Sequence, residues 1–211
     1  DRFIEEYDLA TLILVLSEKA AETFRVQGFP EEKLFYLPRG VDIERFTPGE
    51  KPAHFRAVFS GALIERKGVH HLLEAWHRLD LKDAELWLVG SIHDEIKPYL
   101  EKYAAPNVKA LGFAKEPETY LRESTIHIFP SQCEGSAKVT YDAAACGLPQ
   151  IPTREAGDVV EDGLLGIIVP PPNVDPLHAA LQHPYPHPAL VQHMSTPQRS
   201  PGGRHHVSDP T

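Results

Sequence analysis

Short apolar runs alternate with amphipathic stretches over most of this chain, and this alternation restricts the possible folds more than any other feature. The apolar runs, most of which stop at glycine or proline, are Thr11–Leu16, Ala57–Ser60, Glu85–Val89, Val108–Leu111, Thr125–Phe129 and Ile167–Val169. The intervening patterns predict helices over Gly68–Leu79, Ile96–Ala104, Pro117–Arg122 and Lys138–Cys146, with Ser17 as the N-cap of an earlier helix. Repeated strand, turn and helix units are typical of βαβ topology. The sequence therefore predicts an α/β fold, a Rossmann-like parallel sheet with helices on both faces.

Two segments depart from this rhythm. Leu37–Pro48 carries proline and glycine punctuation, which is typical of a linker. The regular pattern stops near Leu181, and residues 183–211 are rich in proline and histidine without an apolar period. This composition predicts a disordered tail.

Composition and charge exclude several classes of function. The net charge of -9, without clustered lysine and arginine, argues against a nucleic-acid partner. Cys133 and Cys146 form no CxxC pair, which favours a reducing, cytoplasmic location. The histidines show no zinc spacing, so no metal site is expected, and both the dinucleotide and the P-loop glycine motifs are absent. No apolar run approaches the roughly 18 residues of a membrane span.

The densest group of chemically informative residues lies in Pro130–Pro149, after a predicted strand. Ligands of parallel sheets bind at the carboxyl ends of strands, and a helix N-terminus favours anions. Glu134 falls at this position, and the small residues Gly135, Ser136 and Ala137 allow a ligand to approach the backbone. Asp142 follows about two helical turns later, so both carboxylates can lean toward one side and accept hydrogen bonds from vicinal hydroxyls.

Each of these residues also has a simpler interpretation. Glu134 can be a capping carboxylate, Asp142 a solvated helix residue and Lys67 an exposed lysine at a helix start. The residues alone do not decide between these structural roles and a role in ligand binding.

The order of the motifs resembles that of the family-4 retaining glycosyltransferases, which have the GT-B fold. Glu134, seven further residues, Asp142, and then Ala143, Ala145, Gly147 and Pro149 resemble the signature of that family. Further matching segments follow the family's order: Leu37–Pro48, Gly61–Gly68, Thr125–Glu134 and Asp158–Pro170. The resemblance covers roughly residues 10–181.

This resemblance implies a domain division and an activity. Residues 1–50 would be the remnant of an acceptor-side domain and a linker, and 51–182 would be the donor-binding domain of the GT-B C-terminal type. The complete enzyme would move a sugar from a nucleotide-diphosphate sugar to an acceptor hydroxyl with retention, without metal or other cofactor. The acceptor could be a saccharide, a lipid or a small molecule, as in polysaccharide biosynthesis, and peripheral membrane association of the full-length enzyme is possible. The isolated fragment would bind donor and transfer no sugar.

The resemblance also implies roles for single residues. Glu134 would hold the donor sugar, Asp142 would contact the ribose, and Lys67 with Arg66 would neutralise the departing diphosphate. Ser136, Ala137 and Lys138 would present backbone donors to phosphate or sugar. The remaining donor-site residues would be Gly61, Gly90, Phe113 and Gly135, with Gly90 and Phe113 near the base.

Several positions depart from the family pattern. The family's arginine after the first glycine is Ala62, its second glutamate is the shorter Asp142, and its linker asparagine is Arg39. These departures keep a non-catalytic binding or interaction module open as an alternative. A GT-B nucleotide-sugar epimerase is a second alternative, and a non-functional fragment is a third.

Overall fold

The N-terminal part of the chain forms a small α/β unit. A computed structural model describes residues 2–171 and 174–182, so the tail predicted over 183–211 lies outside the described residues. The unit consists of α1 (Arg2–Leu9), β1 (Ile13–Val15), α2 (Glu18–Val26) and β2 (Leu34–Tyr36). The two strands pair in parallel, and Ile13, Val15 and Ala21 form a small buried cluster. Ser17 caps α2 as predicted, because its side chain accepts a hydrogen bond from Ala20 N.

The larger unit is built on a five-stranded parallel sheet. Its strands are β3 (Phe55–Ser60), β4 (Ala84–Val89), β5 (Val108–Gly112), β6 (Ile126–Phe129) and β7 (Gln150–Pro152), in the spatial order β5-β4-β3-β6-β7. Its helices are α3 (Val69–Leu79), α4 (Lys97–Lys102), α5 (Pro117–Arg122), α6 (Lys138–Ala145) and α7 (Val174–Gln182). The strand order reverses between β3 and β6, and ligands of open parallel sheets bind at such a point.

Both faces of this sheet are buried, which explains why its strands are apolar without a clean alternation. Phe59 and Leu86 point to a large cluster that includes Leu72 of α3 and Leu177 of α7. Val58 points to the opposite face, where it packs in a second cluster with side chains of α5 and α6. The expected Rossmann-like sheet with helices on both faces is confirmed.

The segment Leu37–Pro48, predicted to be a linker, packs on the second face of the sheet through Phe46. Phe46 is 3% exposed and lies in the cluster with Val58, Leu121 and Ala143. Asp42 accepts hydrogen bonds from the amides of the two residues that precede Phe46, which folds the chain back on itself. A fully buried phenylalanine contributes about 3 kcal/mol to stability, so this segment is anchored.

The prediction of a strand over Ile167–Val169 is wrong. In this segment Val169 forms an isolated bridge with Thr153, and the preceding Gly166 forms one with Gln150, alongside β7. The sheet instead ends at β7, which the sequence pattern missed because the strand is short and contains glutamine and proline. Within the part of the chain that the structure describes, no helix has the length and apolar character needed to cross a bilayer.

Candidate functional site

Three neighbouring strands end at glycines that touch one another. Gly61 N donates to Val89 O at 2.9 Å, and Gly90 N donates to Gly112 O at 2.8 Å. Gly90 has a φ of 153°, and a Cβ there would lie 1.8 Å from Gly61 O. Only glycine is compatible with this approach, so the carboxyl edge of β3, β4 and β5 is a close-packed backbone surface.

A cavity of about 230 Å³ opens on this surface. It is lined by Ser60, Gly61, Ala62, Val89, Gly90, Ser91, Phe113, Ala114 and Pro117. Phe113 is 76% exposed, so its ring offers a free aromatic surface beside the cavity. The lining thus places Gly61, Gly90 and Phe113, three of the residues expected in a donor site, at one cavity.

The turn between β3 and α3 is fixed against the loop after β6. A short 3₁₀ turn, Glu65–Lys67, leads into Gly68, whose φ is 70°. A Cβ on Gly68 would lie 2.1 Å from Pro130 O, so glycine is required here as well. The amide of Gln132 donates to Arg66 O at 2.9 Å. This contact brings Arg66 and Lys67, in the turn between β3 and α3, next to the loop after β6 that carries Glu134.

Glu134 is the centre of a charge cluster between the two segments. Its Oε1 lies 3.2 Å from Ser131 Oγ, which donates to it. The same oxygen lies 3.5 Å from Arg66 Nη1 and 3.9 Å from Lys67 Nζ. Arg66 also donates to Cys133 O. The structure therefore brings Glu134, Arg66 and Lys67 together.

Lys67 connects the charge cluster to the cavity edge. Its side chain is 17% exposed, its Nζ is 5.5 Å from the Phe129 ring centroid, and the missing side chain of Gly61 leaves room beside it. Burial lowers the pKa of Lys67, and the charge of Glu134 partly opposes that shift. A second anion beside this lysine would favour its charged form further.

The loop after Glu134 is tied to the N-terminal unit and to a 3₁₀ turn. Ser17 Oγ donates to Gly135 O at 2.6 Å, and Arg39 Nε donates to Ser136 O at 2.8 Å. The amide of Ala137 donates to Ala156 O at 2.7 Å. The expectation of a free backbone donor at Ala137 is therefore wrong for this conformation.

Asp142 lies in different surroundings from Glu134. Its side chain is buried and accepts two hydrogen bonds from Lys138 Nζ, at 2.6 and 2.9 Å. That ammonium also lies 4.9 Å from the centroid of the Phe46 ring. Burial raises the pKa of Asp142, and Lys138 partly opposes the shift. The two carboxylates thus have separate partners, although the spacing allows both to lean toward one side.

Sequence reasoning missed several contributors to this site. Ser131, which donates to Glu134, carried no signal beyond its place in the loop. Ser17 and Arg39 were singled out only as a helix cap and as a departure from the family linker, because nothing in the sequence relates them to residues about a hundred positions away.

Comparisons with known proteins agree with this architecture. The "Glycosyl transferases group 1" family matches residues 54–185. D-inositol 3-phosphate glycosyltransferase of Pseudarthrobacter chlorophenolicus is 28% identical over 184 residues, which cover 76% of this chain and 44% of that protein. Among solved structures, sucrose-phosphate synthase of Thermosynechococcus elongatus superposes with a TM-score of 0.81 at 21% identity, covering 93% of this chain and 55% of that one. Anabaena HepE in complex with UDP and glucose gives 0.75 at 19% identity, covering 88% and 56%.

The fold and the arrangement of its carboxyl edge define an α/β domain of the GT-B type. The family match extends over more than half of the sequence, and the chain therefore belongs to the group 1 glycosyltransferases. It spans less than half the length of the curated relative from Pseudarthrobacter chlorophenolicus.

Proposed function

We propose that this chain binds a nucleoside-diphosphate sugar at the carboxyl edge of β3, β4 and β5. The observation that carries the proposal is the contact of Glu134 with Arg66 and Lys67 beside the glycine-lined cavity. The cavity and the exposed ring of Phe113 fit a nucleobase, the two cations fit the diphosphate, and Glu134 fits the hydroxyls of the sugar. The structure of the neighbour HepE with UDP and glucose supports a donor of this class.

In the longer protein, the proposed reaction moves the sugar to an acceptor hydroxyl with retention of anomeric configuration. The bond between the anomeric carbon and the diphosphate oxygen breaks, a bond from that carbon to the acceptor oxygen forms on the same face, and the acceptor's proton passes to the leaving diphosphate, on whose oxygen negative charge develops. Lys67 is half-buried and already held in place, so it stabilises this charge with little reorganisation. The cations come from side chains, and the proposal includes no metal.

Arg66 takes the role of the arginine that Ala62 replaces. Its side chain is 52% exposed and keeps guanidinium N–H groups directed to solvent while one of them holds Cys133 O. Guanidinium groups bind phosphate through two parallel hydrogen bonds, so a small rotation brings Arg66 onto the diphosphate. The acceptor side and the resulting transfer belong to parts of the protein beyond this chain.

The Lys138–Asp142 pair favours a second candidate, a binding module without transfer. The resemblance to the family implies that Asp142 contacts the ribose, but here Lys138 already donates to both of its carboxylate oxygens. A module of this kind would bind nucleotide sugar and lose selectivity for the ribose hydroxyls. Comparing the affinity for UDP with that for its 2′-deoxy analogue distinguishes the two candidates. Only an Asp142 that binds the ribose hydroxyls discriminates between these two ligands.

Calorimetric titration of the chain with UDP-, GDP- and ADP-glucose tests the proposed function. We expect binding of one nucleotide class, weakened roughly 10- to 30-fold in Lys67→Ala, which corresponds to about 1.4–2 kcal/mol. Lys82→Ala is the matched control, because Lys82 is an exposed lysine that pairs with Asp80 before the amino end of β4. The proposal would be contradicted by a folded wild-type chain that binds none of the three ligands. It would also be contradicted if Lys67→Ala bound the nucleotide sugar as tightly as the wild type. Epimerised or hydrolysed sugar formed from UDP-N-acetylglucosamine would favour the epimerase instead.

A further inference from the structure

The hydroxyl of Ser17 connects the N-terminal unit to the loop that carries Glu134. Ser17 is fully buried, and its Oγ accepts from Ala20 N at 3.0 Å and donates to Gly135 O at 2.6 Å. A hydroxyl has one hydrogen and two lone pairs, so it satisfies both partners at once. Capping of α2 uses only the first of these bonds. The second bond joins residues 118 positions apart and needs a different explanation.

This bond sets the orientation of one peptide plane. In a trans peptide, the C=O of one residue and the N–H of the next point in opposite directions. Because Gly135 O faces Ser17, the N–H of Ser136 faces away from the N-terminal unit. Within 2–171 and 174–182, the structure gives this N–H no acceptor.

The neighbouring peptide has no such freedom. Ser136 O accepts from Arg39 Nε, and the amide of Ala137 donates to Ala156 O, so both sides of that plane are engaged. The plane before it is different, because Gly135 is exposed and a Cβ there would meet nothing within 4 Å. Steric contact does not fix a glycine peptide in open space. Ser17 is therefore the contact that sets its direction.

We propose that Ser17 is a positioning residue for the donor site: its bond to Gly135 O aims the N–H of Ser136 at a phosphate oxygen of the bound nucleoside diphosphate. The inference rests on the proposed function and adds to it a residue from the N-terminal unit. A preorientated amide donor gains its hydrogen bond without reordering the loop. Loss of the Ser17 hydroxyl leaves the peptide free to rotate, so the anion loses this donor.

The test measures binding of UDP and uridine, and in parallel GDP and guanosine, and ADP and adenosine, to the full chain by NMR and calorimetry. Ser17→Ala should weaken diphosphate binding about five- to tenfold, the usual effect of one lost hydrogen bond, and leave nucleoside binding unchanged. Ser17→Thr keeps the hydroxyl and should restore most of the affinity. In the wild type, the Ser136 amide resonance should shift on addition of the nucleoside diphosphate that the chain binds and stay in place with the corresponding nucleoside.

Glu22→Gly is the control for a purely structural role of Ser17. Glu22 lies on the exposed surface of α2, where glycine weakens the helix without touching the loop. This variant should lower thermal stability and leave diphosphate affinity unchanged.

Three results would overturn the inference. The first is a Ser17→Ala chain that binds the diphosphate as tightly as wild type, or loses nucleoside binding equally. The second is a Glu22→Gly chain that reproduces the loss. The third is an unmoved Ser136 amide in the wild type, which decides the matter even if Ser17→Ala does not fold. A wild-type chain that binds none of UDP, GDP and ADP would refute the proposed function and this inference with it.

Discussion

Replacing Glu134 by glutamine should strengthen binding of the bare nucleoside diphosphate and weaken binding of the nucleotide sugar relative to it. In the free protein, Glu134 partly neutralises Arg66 at 3.5 Å and Lys67 at 3.9 Å. Unit charges 4 Å apart interact by about 4 kcal/mol at an effective dielectric constant of 20. Arg66 is half exposed, so solvent screening reduces the net effect to about 1 kcal/mol. Affinity for the diphosphate should therefore rise roughly fivefold.

Calorimetry with UDP and UDP-glucose, or with the nucleotide that the chain selects, measures both effects. The glutamine keeps the size of the side chain but loses one strong acceptor, so the ratio of nucleotide-sugar to diphosphate affinity should fall about tenfold. Glu101→Gln, an exposed change on α4, is the matched control and should alter neither value. Equal weakening of both ligands by Glu134→Gln would refute the assignment of Glu134 to the sugar and of its two neighbours to the diphosphate.

Three further predictions concern the packing and stability of the sheet and its carboxyl edge. Phe46→Ala should cost about 3–5 kcal/mol in urea unfolding, because the ring is buried in the second core cluster, and a loss under 1 kcal/mol would contradict that packing. Gly90→Ala should cost about 3 kcal/mol and abolish nucleotide binding, because its Cβ would lie 1.8 Å from Gly61 O; a variant with wild-type stability and binding would show that the edge is looser than described. Hydrogen bonds, chiefly from Lys109, lower the pKa of Glu85 from 4.5 to about 2, so its stabilisation is present above pH 4.5 and is lost as the pH falls toward 2. Glu85→Gln should remove about 1–2 kcal/mol at neutral pH and flatten the unfolding profile in that window; an unchanged profile would contradict the assignment.

The central strands and the helices that follow them could be predicted because each couples a local apolar pattern to a local stop signal. Gly61, Gly90 and Gly112 directly follow or end strands, and Gly147 follows α6 as a positive-φ residue. These signals depend on a few neighbouring residues and survive in a single sequence.

The edge of the sheet could not be predicted in the same way. β7 is held by side chains and backbone from other elements. His127 Nδ1 lies 2.9 Å from Gln150 Oε1, and the side-chain amide of Gln150 donates to Thr140 O. Burial lowers the pKa of His127 to about 4, so the ring is neutral at physiological pH and acts as a core residue. A glutamine in a short strand gives no apolar signal, whereas Ile167–Val169 gives one without forming a strand.

The candidate site likewise contains residues that the sequence can single out and contacts that it cannot. The acidic and basic residues of the charge cluster could be singled out from motif order, since each carries chemistry in its own side chain. The bond from Ser17 to Gly135 could not, because it depends on how two units meet. The pairing of Lys138 with Asp142 has the four-residue spacing of a helical ion pair, but the burial of the Asp142 carboxylate is a property of the fold.

Amide shift mapping of the isotope-labelled chain during titration with the nucleotide sugar tests the central claim most directly. We expect the largest shifts at the carboxyl edge of the sheet, on Gly61, Gly90, Phe113 and Ser136, with saturation at one equivalent of ligand. Shifts confined to the amino edge of the sheet, or scattered without saturation, would contradict a donor site at this position.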